Sequence, residues 1–160
     1  VKRKIPLVVD PVMASTSGKV LLKANAIKSL HEKLLPVATL VTPNIGEAEQ
    51  LTGMKIRNQS QQEAAARAIN ESCGCKVLLK GGHLSGKQAD DVYFDGEKLT
   101  VLSAKRVKGR ELPGTGCFYS AWTTAELAKG KSLLSAIRAA KKRMTAAIGN
   151  PHRVGRQSLL

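Results

Sequence analysis

Lys76-Val77-Leu78-Leu79-Lys80-Gly81-Gly82-His83 is the stretch that decides the fold. A short, continuous apolar run bounded by glycines reads as a strand buried on both faces, and such strands belong to parallel sheets covered by helices on each side. The run ends in a lysine and two glycines, at the carboxyl end of the strand, where an open α/β sheet places its ligand. Lys80 can meet phosphate there as a point charge, while Gly81 and Gly82 allow close approach of the backbone. A lysine stem lying along the strand edge, with its charge in water, is the alternative reading. His83 reads as a hydrogen-bonded loop histidine.

Upstream, the same pattern occurs twice. Ile5 to Val9 is an apolar run, β-branched at Ile5, Val8 and Val9, and it closes on Asp10-Pro11, which puts Asp10 at a strand's carboxyl end. Ser15-Thr16-Ser17-Gly18 then makes a polar loop, and Ala24 to Leu35 has helical apolar spacing, stopped by Pro36. Ala38 to Thr42 is a second buried strand, ended by Pro43. Asn44-Ile45-Gly46-Glu47 places an amide and a carboxylate three residues apart at the start of a short helix closed by Gly53. Two readings stand side by side here. One is a capping box, with Asn44 as N-cap and Glu47 reaching back; the other makes Glu47 a holder of Mg²⁺, an ion that keeps several waters and takes one or two carboxylates plus phosphates. Ser60 to Asn70 is a helix of strong formers ended by Gly74.

Downstream, Asp90 to Leu102 contains two β-type runs around Asp95-Gly96, a hairpin signal that adds an antiparallel edge to three parallel-type strands. Next comes Leu112-Pro113-Gly114-Thr115-Gly116-Cys117, leading into a helix. Two glycines one residue apart allow a tight turn whose N–H groups, with the positive end of the helix, form an anion hole. A thiolate in the first turn is stabilised by the same dipole, which marks Cys117 as a functional candidate. Ser132 to Met144 is a last amphipathic helix with Ser132 as N-cap, and the tail from Asn150 to Leu160 reads as irregular.

Composition bounds the rest. A chain of 160 residues with 42% apolar content reads as one globular domain, and no apolar run is long enough for a membrane span. Cys73, Cys75 and Cys117 make no disulfide framework, which points to a reducing cytoplasm; Cys73-Gly74-Cys75 lacks the spacing of a zinc site and reads as structural or incidental. The net charge of +14 keeps a polyanion partner in view. That excess is shared between the two halves of the chain, Arg138 to Arg143 is the one dense cluster, and the few aromatics do not interleave with basic residues as a base-stacking surface requires. A solvated basic face is therefore favoured over nucleic-acid binding.

Taken in order, Val9-Asp10-Pro11-Val12-Met13 with Ser17-Gly18, Thr42-Pro43-Asn44 with Glu47-Ala48-Glu49 and Leu51-Thr52-Gly53, Lys80-Gly81-Gly82-His83 with Asp90-Asp91, and Gly114-Thr115-Gly116-Cys117 resemble the carboxy-terminal part of the hydroxymethylpyrimidine and phosphomethylpyrimidine kinases of thiamine biosynthesis. The resemblance implies a ribokinase-like, three-layer αβα fold with a mainly parallel sheet and an antiparallel edge hairpin, lacking the amino-terminal βα units. Residues 1–150 would be a partial kinase domain, the ATP and phosphate half, and residues 151–160 a tail. It implies phosphoryl transfer from MgATP to the pyrimidine, with Cys117 as the base and Gly114, Thr115 and Gly116 at the transferring phosphoryl group. By the same resemblance Asn44 and Glu47 join the Mg²⁺ and phosphate network, Lys80 and Gly82 the nucleotide side, and Asp10 and Val12 the floor of the site. Pro113 departs from the family, which has histidine there. With most of the pyrimidine pocket expected upstream, residues 1–160 alone are expected to turn over little substrate, and the first strand is expected to show an apolar edge that invites dimer pairing. A pyridoxal kinase-like enzyme and a non-catalytic polyanion-binding module are the alternatives.

Overall fold

The computed structural model describes residues 5–15, 18–82, 84, 86–107, 112–150, 152–154 and 157–159, the last two segments as backbone only. Thr16, Ser17, His83 and residues 108–111, which carry parts of the loops read above, lie outside the described residues. The chain divides into two compact units, Val1–Ser85 with Ala89–Ser103, and Gly86–Gln88 with Ala104–Leu160.

In the first unit five strands form one sheet in the order β1 (Val8–Val9), β2 (Leu40–Val41), β3 (Lys76–Leu79), β4 (Asp91–Phe94) and β5 (Leu99–Leu102). β1, β2 and β3 run parallel, and β4 and β5 are antiparallel additions. The mixed sheet is thus the one the three apolar runs and the Asp95-Gly96 signal predict. Asp95 makes the hairpin turn, its Oδ1 accepting from the N–H groups of Glu97 and Lys98 at 3.0 and 2.6 Å. Register explains the core. Val9, Val41, Val77 and Phe94 align across one face with Leu79 and Val92, and all are buried in one cluster with Leu35, Ile45, Ala48, Ala65, Ala66 and Ile69 from the helices. Leu40, Leu78 and Tyr93 alternate to the other face and are buried as well, as strands covered on both sides require.

The helices of this unit are α1 (Ala24–Ser29), α2 (Ile45–Thr52) and α3 (Gln59–Cys73). α2 and α3 end on Gly53 and Gly74, both left-handed at φ 71°. Asn58 caps α3 through a bond from the Gln61 N–H, and the helix begins at Gln59, one residue before the predicted start at Ser60. Three expectations need correction. The predicted strand from Ile5 shrinks to Val8–Val9, and Ile5 is 89% exposed, because β1 lies at the end of the sheet with a single neighbour. Pro36 does not stop the first helix: α1 runs on through a π-helical stretch (Leu30–Leu34) into a 3₁₀ turn (Leu35–Val37), where proline stands in a first turn whose N–H would go unbonded anyway. The tail beyond Asn150 is not irregular, since β6 (His152–Val154) and β7 (Gln157–Leu159) pair antiparallel.

The second unit holds α4 (Thr115–Ala128) and α5 (Leu133–Gly149), which pack against each other. Tyr119 and Thr123 on α4, and Ala136 and Ala140 on α5, are buried at the four-residue spacing of a single helix face. α5 extends past its predicted end at Met144 because Ala146, Ala147 and Ile148 continue the helix. Among the described residues no helix is long and apolar enough to cross a membrane.

Candidate functional site

The carboxyl ends of β1, β2 and β3 bring together side chains that are far apart in sequence. Asp10 follows β1, Thr42 follows β2 and Lys80 follows β3; the Lys80 N–H donates to the Pro43 carbonyl at 2.8 Å and so holds the two strand ends level. Asp10 Oδ1 accepts from Lys80 Nζ at 2.9 Å and from Thr42 Oγ1 at 3.1 Å. The ion pair is mostly enclosed, at 12% and 15% side-chain exposure. Asp10 Oδ2 is buried and has no hydrogen-bond partner among the described residues. An enclosed carboxylate oxygen of this kind is ordinarily satisfied by a partner, so it is a coordination-ready atom at the strand ends.

Beside this pair stands the start of α2. The Glu47 N–H donates to Asn44 Oδ1 at 2.9 Å, and the Asn44 N–H donates to Glu47 Oε2 at 2.7 Å, a complete capping box. The local reading is thus correct, and it also fixes the carboxylate: Glu47 is only 6% exposed. Burial pushes its carboxyl above the ordinary range, opposed by the bond from Asn44 and by the charge of Lys80, and assisted by the charge of Asp10. Glu47 is therefore in electrostatic reach of both members of the ion pair. Two acidic side chains backed by one lysine suit an ion that takes few protein carboxylates and completes its shell with water and phosphate oxygens. The described residues hold no group of three or more His, Cys, Asp or Glu that would cage a metal outright.

Gly81, not Gly82, is the constrained glycine. A Cβ on Gly81 would run into the Asp90 carbonyl oxygen and come within 2.8 Å of Gln62 Nε2, while one on Gly82 meets nothing. The Gly81 N–H donates to Asp91 Oδ1 at 2.9 Å, and Gln62 Nε2 donates to the carbonyls of Leu79 and Asp90 at 2.9 and 3.2 Å. This network ties the end of β3 to the start of β4. Val12 is half-buried, its N–H donating to the Asp10 carbonyl at 2.9 Å, which turns the chain directly after Asp10. Sequence reasoning missed Thr42 and Asp91 as members of this region. Their signal was position, a hydroxyl and a carboxylate adjoining strand ends.

In the second unit Gly114 caps α4 at φ 86°, with no side chain to supply a capping oxygen. Thr115, Gly116 and Cys117 form the first turn, and Cys117 is exposed. The first amides of a helix have no intrahelical partner, and Gly114 has no side chain with which to cap them. The glycine takes the left-handed conformation that the Gly-x-Gly reading requires.

In the first unit, parallel strands end in polar side chains beside a capped carboxylate, in an α/β fold similar to that of ribokinase-like kinases. The chain belongs to the phosphomethylpyrimidine kinase family, which matches residues 1–159 and whose members are phosphotransferases. It is 46% identical over 148 residues to the hydroxymethylpyrimidine/phosphomethylpyrimidine kinase of Rhizobium meliloti, covering 92% of this chain and 56% of that one. It is 42% identical to the kinase of the same name from Haemophilus influenzae, over 93% of this chain and 57% of that one. Among solved structures it is similar to a Staphylococcus aureus pyridoxal kinase in complex with AMP-PCP, with a TM-score of 0.88, 34% identity, and coverage of 99% of this chain and 58% of that one. It is also similar to phosphomethylpyrimidine kinase from Clostridium difficile, with a TM-score of 0.75, 38% identity, and coverage of 90% and 58%. The chain thus spans a little over half the length of the relatives it matches.

Proposed function

We propose that this chain carries the phosphate-handling part of an ATP-dependent phosphorylation of hydroxymethylpyrimidine, or of its phosphate, in thiamine biosynthesis. The observation that carries the reading is the cluster of Asp10, Thr42 and Lys80 beside the buried Glu47, all at strand carboxyl ends, in a chain 46% identical to a kinase of that name. Identity favours the pyrimidine as acceptor; the higher TM-score of the pyridoxal kinase supports pyridoxal as the second reading.

Each group has a role set by its chemistry. Lys80 carries the positive charge that nucleotide phosphate demands, and Asp10, itself held by the Thr42 hydroxyl, keeps its ammonium in place. Gly82, which carries no side chain, would let the nucleotide approach the backbone closely. Glu47 and Asp10 are the residues that would hold Mg²⁺, with Asn44 orienting Glu47. When bound, the ion neutralises charge on the phosphate oxygens. The first-turn amides of Gly114, Thr115, Gly116 and Cys117 would stabilise negative charge on the transferring group. Cys117, exposed in that turn, would take the proton of the acceptor hydroxyl, and Val12 would border the acceptor.

Glu47→Gln tests the assignment cleanly, because a glutamine keeps the capping box while removing the charge. Calorimetric titration with ATP and Mg²⁺ is expected to show binding weakened by about tenfold or more with urea stability not lowered, the loss of a charged partner to the metal. Equal affinity of the variant and the unsubstituted chain would remove Glu47 from the site.

A further inference from the structure

Away from the strand ends, the end of α3 holds a pair of thiols that phosphoryl transfer does not use. Cys73 and Cys75 are free and buried, at 7% and 1% exposure, with their Sγ atoms 3.2 Å apart. Their approach is imposed by the backbone. Gly74, left-handed at φ 71°, ends α3 and folds the chain back, so that Cys75 returns toward the residue two before it. Asn70 Nδ2 donates to the Cys75 carbonyl at 2.7 Å and locks that return. Next to the pair, His31 of the π-helical stretch is 3.1 Å from the Ser72 hydroxyl.

We propose that Cys73 and Cys75 form an oxidisable dithiol, a modification site at which a small hydroperoxide closes a Cys73–Cys75 disulfide. A disulfide needs the sulfurs at roughly 2 Å, so closure asks for a movement of about an ångström within one turn. The two thiols have unlike characters. The Cys73 S–H donates to the Ile69 carbonyl at 2.9 Å, which leaves the Cys75 S–H to donate to the Cys73 sulfur; that bond holds the Cys73 thiol below its ordinary range, with nearby His31 adding to the effect, while the same bond and burial push Cys75 up. Cys73 is therefore the attacking thiolate. Its sulfur attacks one peroxide oxygen, the O–O bond breaks, and the leaving hydroxide takes a proton to become water, leaving a sulfenic acid on Cys73. The Cys75 sulfur then attacks Cys73 Sγ, the S–S bond forms as the S–O bond breaks, and a second water departs with the Cys75 proton. With hydrogen peroxide as the oxidant, two thiols and one peroxide give one disulfide and two waters.

The test uses the full chain carrying Cys117→Ser, which removes the exposed thiol and leaves the pair untouched. The protein is exposed to hydrogen peroxide at pH 6, unfolded, alkylated and digested, and the peptide containing both cysteines is weighed. The expected product lacks two hydrogens, resists alkylation until treated with dithiothreitol, and forms about tenfold or more faster in the folded chain than in urea, the folded environment being what supplies the thiolate. In the Cys75→Ser variant a sulfenic acid on Cys73 is expected to be trapped by dimedone. Full alkylation of both cysteines after peroxide, a sulfenic acid that persists on Cys73 with Cys75 present, or equal rates in folded and urea-unfolded chains would overturn the proposal.

Discussion

The amino ends of α2 and α4 are the two places where this chain presents a helix start to polar chemistry, and they are built in opposite ways. At α2 the protein satisfies its own backbone: Asn44 and Glu47 exchange hydrogen bonds, and the carboxylate is buried beside an ion pair. At α4 the cap is a left-handed glycine with no side-chain bond, and the nearest functional group is an exposed thiol. The difference teaches that one end is fixed whether or not a ligand is present, since its groups are mutually bonded. The other gains its side partners only from outside the helix.

Substitutions can break that contrast, beginning with the network that anchors the strand ends. Gly81→Ala drives a methyl into the Asp90 carbonyl and Gln62, with backbone on one side that cannot give way; a loss of about 3 kcal/mol or more is expected in urea unfolding. Lys80→Met keeps the stem but leaves Asp10 enclosed without its cation, for an expected loss of about 2 kcal/mol, smaller than for a fully buried pair because both side chains retain some solvent. Asn44→Ala removes half the capping box and should cost about 1 kcal/mol by the same measurement.

The smaller effects sharpen the comparison. Glu47, whose carboxyl is held above the ordinary range by burial, binds its proton more tightly folded than unfolded. Its contribution to stability is therefore full below the ordinary carboxylate pKa and declines as pH rises through the raised value. Glu47→Gln should flatten that decline in urea titrations run across the acidic range. Cys117→Ser, at the exposed start of α4, should alter stability by less than about 0.5 kcal/mol. A cost at Cys117 matching that of Asn44→Ala would show the α4 end to be self-satisfied after all, and erase the distinction.

Much of this was legible beforehand. The apolar runs ending at Asp10, Thr42 and Lys80 foretold parallel strands with polar residues at their carboxyl ends, and Asp95-Gly96 foretold the antiparallel addition. The capping box followed from residue types three apart, a purely local interaction. What was misread depended on neighbours. Ile5 has the composition of a strand residue but lies outside β1, its exposure in keeping with the apolar edge expected there, and Pro36 reads as a stop but sits where a new helical turn begins. The beta pairing of the tail lies in a segment without a clear alternating pattern.

Sequence by itself therefore determined the elements, their parallel order and the residue types at each strand end, because periodicity, caps and glycine turns act over a few residues. Tertiary structure alone decided that Thr42 and Lys80 share Asp10 Oδ1, that Gly81 rather than Gly82 is hemmed in by Asp90, and that Cys73 and Cys75 lie sulfur to sulfur in the core. The first two join residues from 9 to 70 positions apart, and the third depends on how far a single left-handed turn is buried. Distances of that kind are fixed by sheet register and packing, which no local pattern encodes.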